Sequence, residues 1–363
     1  MRDRFVVFGQ WLTLYEKYLT AGAFLLGFVI DNLTLTRIDL WFDNLVLLSY
    51  LLLAASGIAL LNIVSIKGSQ NAIILRIYPW LSLIVQFAFG GLFSGYFVFY
   101  SRSASVISSW VFVLFLIGLL VVNERFKHQY SRFRFQVAIL FIAIFSFAIF
   151  SLPTLLGHIG PWVFVLSGLV SVMLFAGFLY GLSWVIPEKI QSTKIPIARI
   201  TAVIFVLFNV LYFIDAIPPL PLSLKDAGVY HAIERDGEGY AAFEEEVPWY
   251  KFYESYNHTI HRVGNESIYV YSAVFAPTKL ETNILHEWEY FDEKKLRWIP
   301  AGTFSFGIAG GRDEGYRGYT NKNNLFEGEW RVNVTTSFGQ TIGRVRFEIV
   351  DVSQKTTLKE VQL

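Results

Sequence analysis

A glycine-rich segment in the C-terminal half has the residue types best suited to holding an anion. Residues 310–320 combine several glycines with two arginines and two tyrosines, namely Arg312, Tyr316, Arg317 and Tyr319. Exposed backbone N–H groups and planar guanidinium groups can bind a carboxylate or a phosphate, and tyrosine rings can stack on a sugar or a peptide. The structural alternative, which is the commoner outcome, is a long hairpin loop whose arginines pair with Asp313 and Glu314. The segment lacks the Lys-Ser/Thr ending of a P-loop.

Histidines supply a second possible chemistry, metal binding. The candidate ligands are His231, Glu254, His258, His261 and His286. A spacing of three places two residues on one face of a helix but on opposite faces of a strand, and no HExxH motif is present. The sequence therefore predicts neither a metal site nor a cofactor. His286 alternates with Trp288 and Tyr290, which favours packing within a strand face, and His286 and Trp288 are also kept as ligand-binding candidates.

Catalytic residues are not indicated by any motif. Glu287 and Glu289 would share one strand face, where neighbouring acids are usually solvated, and neither a GxSxG nor an SxxK motif occurs. The chain has no cysteine, which excludes disulfides, thiol nucleophiles and cysteine-ligated zinc. The sequence favours a binding protein over an enzyme and leaves catalysis open.

The elements that must carry these residues are indicated by composition. Of 363 residues 54% are hydrophobic and only 16% are charged, with a mean hydropathy of +0.46, whereas soluble domains are about one quarter charged. These values exclude a disordered or a nucleic-acid-binding protein. Aromatic residues make up 17% of the chain, which suits helices with aromatic belts at the membrane surface.

Seven apolar stretches predict a transmembrane bundle over residues 1–214. A helix needs about 20 apolar residues to cross a bilayer, and the stretches are 18–35, 44–64, 80–100, 106–122, 135–156, 161–186 and 197–214. The first is interrupted by Asp31, so whether it crosses fully is left open. Membrane lipids are the partners that such a bundle implies.

Charge indicates the orientation of the bundle. With seven spans, eleven Lys and Arg residues lie in the connections on the N-terminal side of the membrane, and only Arg37 and Arg102 lie on the other side. By the positive-inside rule the N-terminus is cytoplasmic and everything after 214 is outside. The net charge of +1 is a cancellation, because residues 1–214 carry +7 and residues 215–363 carry −6. A bacterial cytoplasmic membrane is the predicted location.

The predicted spans contain few groups for transport or catalysis. Ionisable residues such as Asp31 and Asp43 lie at span ends, whereas ion paths need them at mid-depth. The internal polar residues are expected to make interhelical hydrogen bonds; they are Gln86, Ser94, Gln136, Ser146 and Asn209. Gly91 and Gly95 are four apart, a spacing that favours close helix packing within the bundle over a dimer interface.

The C-terminal half is predicted to be all-β. A proline-rich stretch, 215–224, is expected to be an extended linker, and residues 225–363 to form an immunoglobulin-like sandwich of short strands. Apolar and polar residues alternate in 268–275, 286–290, 330–335 and 344–349, as in antiparallel strands with one solvated face. Turns are expected at 292–295 and 337–340. Residues 225–262 could form a cap or an extra strand pair.

The end of the chain resembles a known family. Gly328-Glu329-Trp330-Arg331-Val332, Gly339, Gly343-Arg344 and Phe347 carry the likeness, together with His286-Glu287-Trp288 and Gly310-Gly311-Arg312. Over about 265–352 the chain is similar to the uncharacterised bacterial family called domain of unknown function 2914. The resemblance implies a β domain attached to a bacterial membrane protein and implies no activity and no functional residue.

Three functions follow. The favoured one is a membrane anchor that displays an outward β domain for an envelope ligand, which could be a glycan, a peptide or a protein partner. The alternative is a membrane enzyme acting on a lipid or polysaccharide at the outer surface, with Asp31, Arg37, Asp43 and Arg102 at its rim. A transporter or channel is disfavoured. The oligomeric state is left open.

Overall fold

The computed structural model describes residues 29–35, 39–68, 72–103, 114–115, 117–118, 132–237, 239–246 and 256–363. Most of the predicted spans 18–35 and 106–122 lies outside these residues, as do Arg37 and Glu254. The first part of the chain is helical and the second part is rich in β-strands, as the sequence predicts.

Five helices of the described residues are long and apolar enough to cross a membrane, by length and composition. They are α1 (Trp41–Lys67), α2 (Ala72–Ser103), α3 (Phe133–Leu156), α4 (Pro161–Val185) and α5 (Pro187–Phe213). These segments form helices because a helix satisfies every backbone polar group within an apolar stretch. Five of the seven predicted spans match them, although α5 begins at Pro187, well before the predicted 197.

Small residues bring α1 and α2 together. A side chain added at Gly91 would lie 2.8 Å from the ring of Tyr50, and one added at Gly95 would lie 2.6 Å from Leu47. Both glycines therefore allow a close approach of the two helices within one chain. A polar contact lies further along α1, where Asn62 Nδ2 donates to Gln136 Oε1 of α3 at 2.7 Å. For Gln136 this is an interhelical hydrogen bond of the expected type.

The chain divides into two compact units. The first consists of Met1–Phe99, Val113–Ser151 and Ser167–Phe208, and the second of Tyr100–Phe112, Leu152–Leu166 and Asn209–Leu363. The predicted boundary at 214–225 separates helices from strands. The second unit, in contrast, also includes the end of α3, the start of α4 and the end of α5.

The β region of the second unit contains eleven strands within the described residues. They are β1 (Ser223–Tyr230), β2 (Ala232–Asp236), β3 (Gly239–Glu245), β4 (Thr259–Arg262), β5 (Ile268–Phe275), β6 (Glu281–Asp292), β7 (Arg297–Ala309), β8 (Tyr316–Lys322), β9 (Gly328–Thr336), β10 (Thr341–Asp351) and β11 (Leu358–Gln362). They form three sheets, ordered β1-β5-β8, β4-β10-β9-β6-β7 and β11-β3-β2. We call these the central, large and small sheets. The predicted turns after Asp292 and Thr336 are both present.

The central sheet is covered on both faces. Val229 and Val270 pack with Trp288, Trp330 and residues of the large sheet in one core. On the other face, Tyr230 and Tyr271 pack with Ile233 and Ala242 of the small sheet. The prediction that 268–275 has one solvated face is therefore wrong, because the small sheet covers the side that would otherwise contact water. Seven of the eight residues in β5 are buried.

Three further expectations are decided by the β region and the segment before it. Residues 215–224 are not an extended linker, because Leu222 N donates to Pro219 O, Ile217 and Leu222 are buried, and β1 already begins at Ser223. The ambiguous region 225–262 contains the hairpin β2–β3, so the extra strand pair is the correct alternative. Its last strand, β4, pairs in parallel with β10, whereas antiparallel pairing is expected throughout.

The turn between α3 and α4 contributes to the β core. Ile159 is 8% exposed and packs with Leu222, Ile284 and Val334. Gly157 has φ +66°, and a side chain there would lie 2.8 Å from the carbonyl oxygen of Lys279. The α3–α4 turn therefore packs closely against the backbone just before β6.

Candidate functional site

His286 lies at the centre of a buried hydrogen-bond chain between the central and large sheets. Its Nε2 is 2.8 Å from Ser272 Oγ and its Nδ1 is 2.8 Å from Thr320 Oγ1, which also accepts a bond from Trp288 Nε1 at 3.2 Å. Burial lowers the pKa of His286 to about 4. The imidazole is therefore neutral at pH 7 and is fully satisfied by its neighbours.

The His286 chain is closed to ligands. Ser272, His286 and Trp288 are each 0% exposed, and the edge of the Phe306 ring packs against the imidazole with centroids 5.1 Å apart. A serine beside a histidine suggests a nucleophile and a base, but no substrate reaches these atoms in this arrangement. Packing within the strand face is the role that the structure gives His286 and Trp288.

The four predicted ligand residues of 310–320 do not converge. Residues 316–322 form strand β8 and not a loop, so Tyr316 and Tyr319 point to opposite faces of the central sheet. Arg312 lies over the Tyr316 ring at 5.3 Å. Arg317 is engaged by Glu314 at 2.6 Å and by the carbonyl oxygen of Leu363 at 2.9 Å. The prediction that these four residues form a single anion site is therefore wrong.

The glycines of this segment do not offer free donors. Gly310 N donates to Leu280 O at 2.9 Å and Gly311 N donates to Ala276 O at 3.1 Å. A side chain at Gly310 would lie 1.6 Å from the carbonyl oxygen of Pro277. Gly310 is therefore needed for a close backbone crossing, and the N–H groups of Gly310 and Gly311 are both occupied within the fold.

A buried carboxylate between two histidines forms the most distinctive polar cluster of the β region. Glu245, at the end of β3, accepts from His231 Nε2 at 2.9 Å and from His261 Nδ1 at 2.7 Å. The backbone N–H of His261 donates to the same carboxylate at 2.6 Å. Burial by itself raises the pKa of Glu245, but the bonds from His231 and His261 outweigh it and hold this pKa below its ordinary value. Glu245 is therefore ionised at neutral pH.

A pocket of about 300 Å³ opens beside the two imidazoles. It is bounded by the β1–β2 junction, the edge strand β4, the start of β5 and the segment before β11. Its lining is His231, Ala232, His261, Val263, Glu266, Ser267, Tyr269, Lys355, Thr356 and Leu358. Lys355 Nζ pairs with Glu266 Oε1 at 3.1 Å. We call this the histidine pocket.

Tyrosine rings continue from the histidine pocket across the central sheet. The Tyr269 ring lies 6.0 Å from that of Tyr319, which lies 5.5 Å from that of Tyr240. Tyr319 is 37% exposed. Of the predicted ligand residues, Tyr319 is thus the one that the structure places beside an open pocket, through Tyr269.

The sequence points to part of this site. His231 and His261 are among the histidines considered for a metal, but their partner Glu245 is hidden in the run Glu244-Glu245-Glu246. Strand alternation places only the middle of these three on the buried side, where it is 4% exposed. The part of the chain that the structure describes contains no group of three or more His, Asp or Glu residues suited to a metal ion.

The alternative function, a membrane enzyme, depends on four charged residues at the outer rim of the bundle, and only part of this set lies within the described residues. Asp31 is half-buried and Asp43 is buried at the start of α1. Arg37 and the side chain of Arg102 lie outside the described residues, so this alternative stays a prediction.

Comparisons with known proteins add a family and no function. No curated protein matches the chain. A solved structure, the Pseudomonas fluorescens alkylpurine DNA glycosylase AlkC bound to DNA containing an abasic site analog, is similar at 12% identity over 85% of this chain and 99% of that chain, with a TM-score of 0.21. A likeness this weak carries no argument. Residues 281–349, from the start of β6 into β10, match the model of an uncharacterised family. The description of that family is Protein of unknown function (DUF2914), and the match confirms the resemblance of this region to it.

Proposed function

We propose that this protein is a polytopic membrane protein of about seven spans whose outward-facing β domain, of immunoglobulin-like sandwich type, binds an envelope ligand in the histidine pocket. The cytoplasmic membrane of a bacterium is the proposed location, with the N-terminus in the cytoplasm. Five long apolar helices and the positive-inside distribution of Lys and Arg support this arrangement.

The histidine pocket is the observation that carries the proposal. Small-molecule sites are concave, with a few polar groups held in place by a supporting layer of hydrogen bonds. Here Glu245 fixes both imidazoles from behind, and Tyr269 supplies an aromatic surface. The polar cluster around His286, in contrast, is closed.

The experiment is recovery of the natural ligand. Full-length protein, reconstituted in nanodiscs, is incubated with a small-molecule extract of the bacterial envelope, washed, and analysed by native mass spectrometry. We expect a retained mass on the wild-type protein and at least a tenfold loss of it with His261→Phe, because His261 lines the pocket and the variant has no ring nitrogen. Retention that is equal in His261→Phe would refute the proposal.

A matched variant controls for general damage. His258→Phe changes another histidine of the same chain segment, whose Nδ1 contacts Arg346 O at 3.0 Å outside the pocket. It should retain the ligand as the wild type does. If both variants lose the ligand together, the loss reports damage to the β4 region and the pocket assignment fails.

A further inference from the structure

The hydrogen bonds of Glu245 determine which nitrogen of each histidine carries the proton. An ionised carboxylate can only accept hydrogen bonds, so His231 donates from Nε2 and His261 donates from Nδ1. In the neutral rings Nδ1 of His231 and Nε2 of His261 are then acceptors.

The charges around the histidine pocket favour a cation. Among the described residues, Glu266 and Lys355 line it as an ion pair, and Glu245 lies directly behind the imidazoles. Glu245, Glu266 and Lys355 together sum to one negative charge. An anion would lie near two carboxylates and a single lysine, which is already paired.

The aromatic lining agrees with the charge. Tyr269 lines the pocket, and the face of a tyrosine ring attracts an ammonium group. Acceptor nitrogens, a net negative charge and an aromatic face together match a ligand that donates hydrogen bonds and is positively charged.

We infer that the histidine pocket recognises a primary ammonium group on a small envelope ligand, such as an amino sugar. The inference rests on the proposed function and adds the ligand class. The ammonium group donates to the free nitrogens of His231 and His261, while Glu245 and Glu266 balance its charge.

The test compares three sugars of similar size that differ in charge. Glucosamine, glucose and glucuronate are titrated by calorimetry at pH 7.5 against the full-length protein in nanodiscs. We expect glucosamine to bind at least tenfold more tightly than the other two, because it alone presents an ammonium group.

Two variants at the Glu266–Lys355 ion pair should change the affinity for glucosamine in opposite directions, and both leave the histidines unchanged. Glu266→Gln removes a negative charge and should weaken glucosamine binding about two- to fivefold, the range of partly exposed charge pairs. Lys355→Ala removes the competing cation and should strengthen binding by a similar factor. Lys294→Ala, an exposed lysine in the β6–β7 turn, should leave the affinity unchanged.

The outcomes separate this inference from the proposed function. Tighter binding of glucuronate, weakened by Lys355→Ala, overturns the ammonium assignment and leaves the pocket as a ligand site. Equal binding of all three sugars, or none, also overturns the ammonium assignment. The retained mass in the envelope-extract experiment then decides separately whether the pocket holds a ligand at all.

Discussion

His286 is a titratable residue that the fold holds in its neutral form. An imidazole at 0% exposure loses its hydration, and the bonds to Ser272 and Thr320 satisfy both ring nitrogens without a charge. Its period-two alternation with Trp288 and Tyr290 already predicts packing in a strand face. Sequence could not show Ser272 and Thr320 as partners, because they come from strands of another sheet.

The lowered pKa of His286 predicts a pH dependence of stability. The unfolded chain binds a proton near pH 6.5 and the folded chain only near pH 4, so stability is complete above about pH 6.5 and falls as the pH decreases toward 4. The loss amounts to about 3 kcal/mol. Thermal unfolding of the full-length protein between pH 7 and 4 should show it, and His286→Gln should flatten the slope. An equal slope in both proteins would contradict the prediction.

Gly310 predicts a second effect at the residue scale. Gly310→Ala should destabilise the protein by about 3 kcal/mol or more, because its side chain would overlap the backbone of Pro277, which cannot move as a side chain can. Gly307→Ala is the matched control on β7, with only Asn283 Oδ1 nearby at 3.5 Å. Thermal unfolding measures both, and similar melting temperatures for the two variants would refute this reading.

At the scale of elements, alternation of apolar and polar residues correctly locates β5, β6, β9 and β10 and the turns after β6 and β9. Alternation fails where a strand face packs against another sheet and not against water. The polar residues of 316–320 look like a loop, yet the stretch pairs with β5 as β8. The small sheet hides the second face of β5, and a single sequence gives no sign of such a cover.

The α3–α4 turn supports a prediction at the same scale. Ile159→Ala should lower the stability of the β core by about 2–5 kcal/mol, since it leaves a cavity beside Ile284 and Val334. Leu156→Ala, at a residue that is 41% exposed, is the control and should change stability little. Thermal unfolding followed by tryptophan fluorescence is the measurement, because Trp288 and Trp330 are buried in the adjoining core. Equal effects of the two variants would exclude Ile159 from the core.

For the whole molecule, composition predicts a helical membrane part followed by a β-rich part, and the fold has this order. The charge asymmetry between the two parts underlies the proposed orientation. The histidine pocket is beyond the reach of sequence, because its residues come from the β1–β2 junction, β4, β5 and the segment before β11, which only tertiary structure brings together.

The absence of cysteine makes the proposed orientation directly testable. A single cysteine in place of Lys294 should react with a membrane-impermeant maleimide in intact spheroplasts, because the β6–β7 turn is exposed. One in place of Gln191, near the start of α5, should react only after the membrane is permeabilised. If the cysteine at position 191 were labelled in intact spheroplasts and the one at position 294 only after permeabilisation, the orientation of the protein would be the opposite of the proposed one.

The contribution of Ile159 has a consequence for biogenesis. In the proposed topology, the outer turn that holds this residue is translocated before the strands are made, so the exported domain completes its core on a loop already fixed by two inserted helices. If α5 failed to insert, Ile159 would remain outside while the strands that follow stayed on the cytoplasmic side. The β domain would then lack Ile159 and expose an incomplete core to cytoplasmic proteases, so that completion of this core depends on the insertion of both helices that follow the turn.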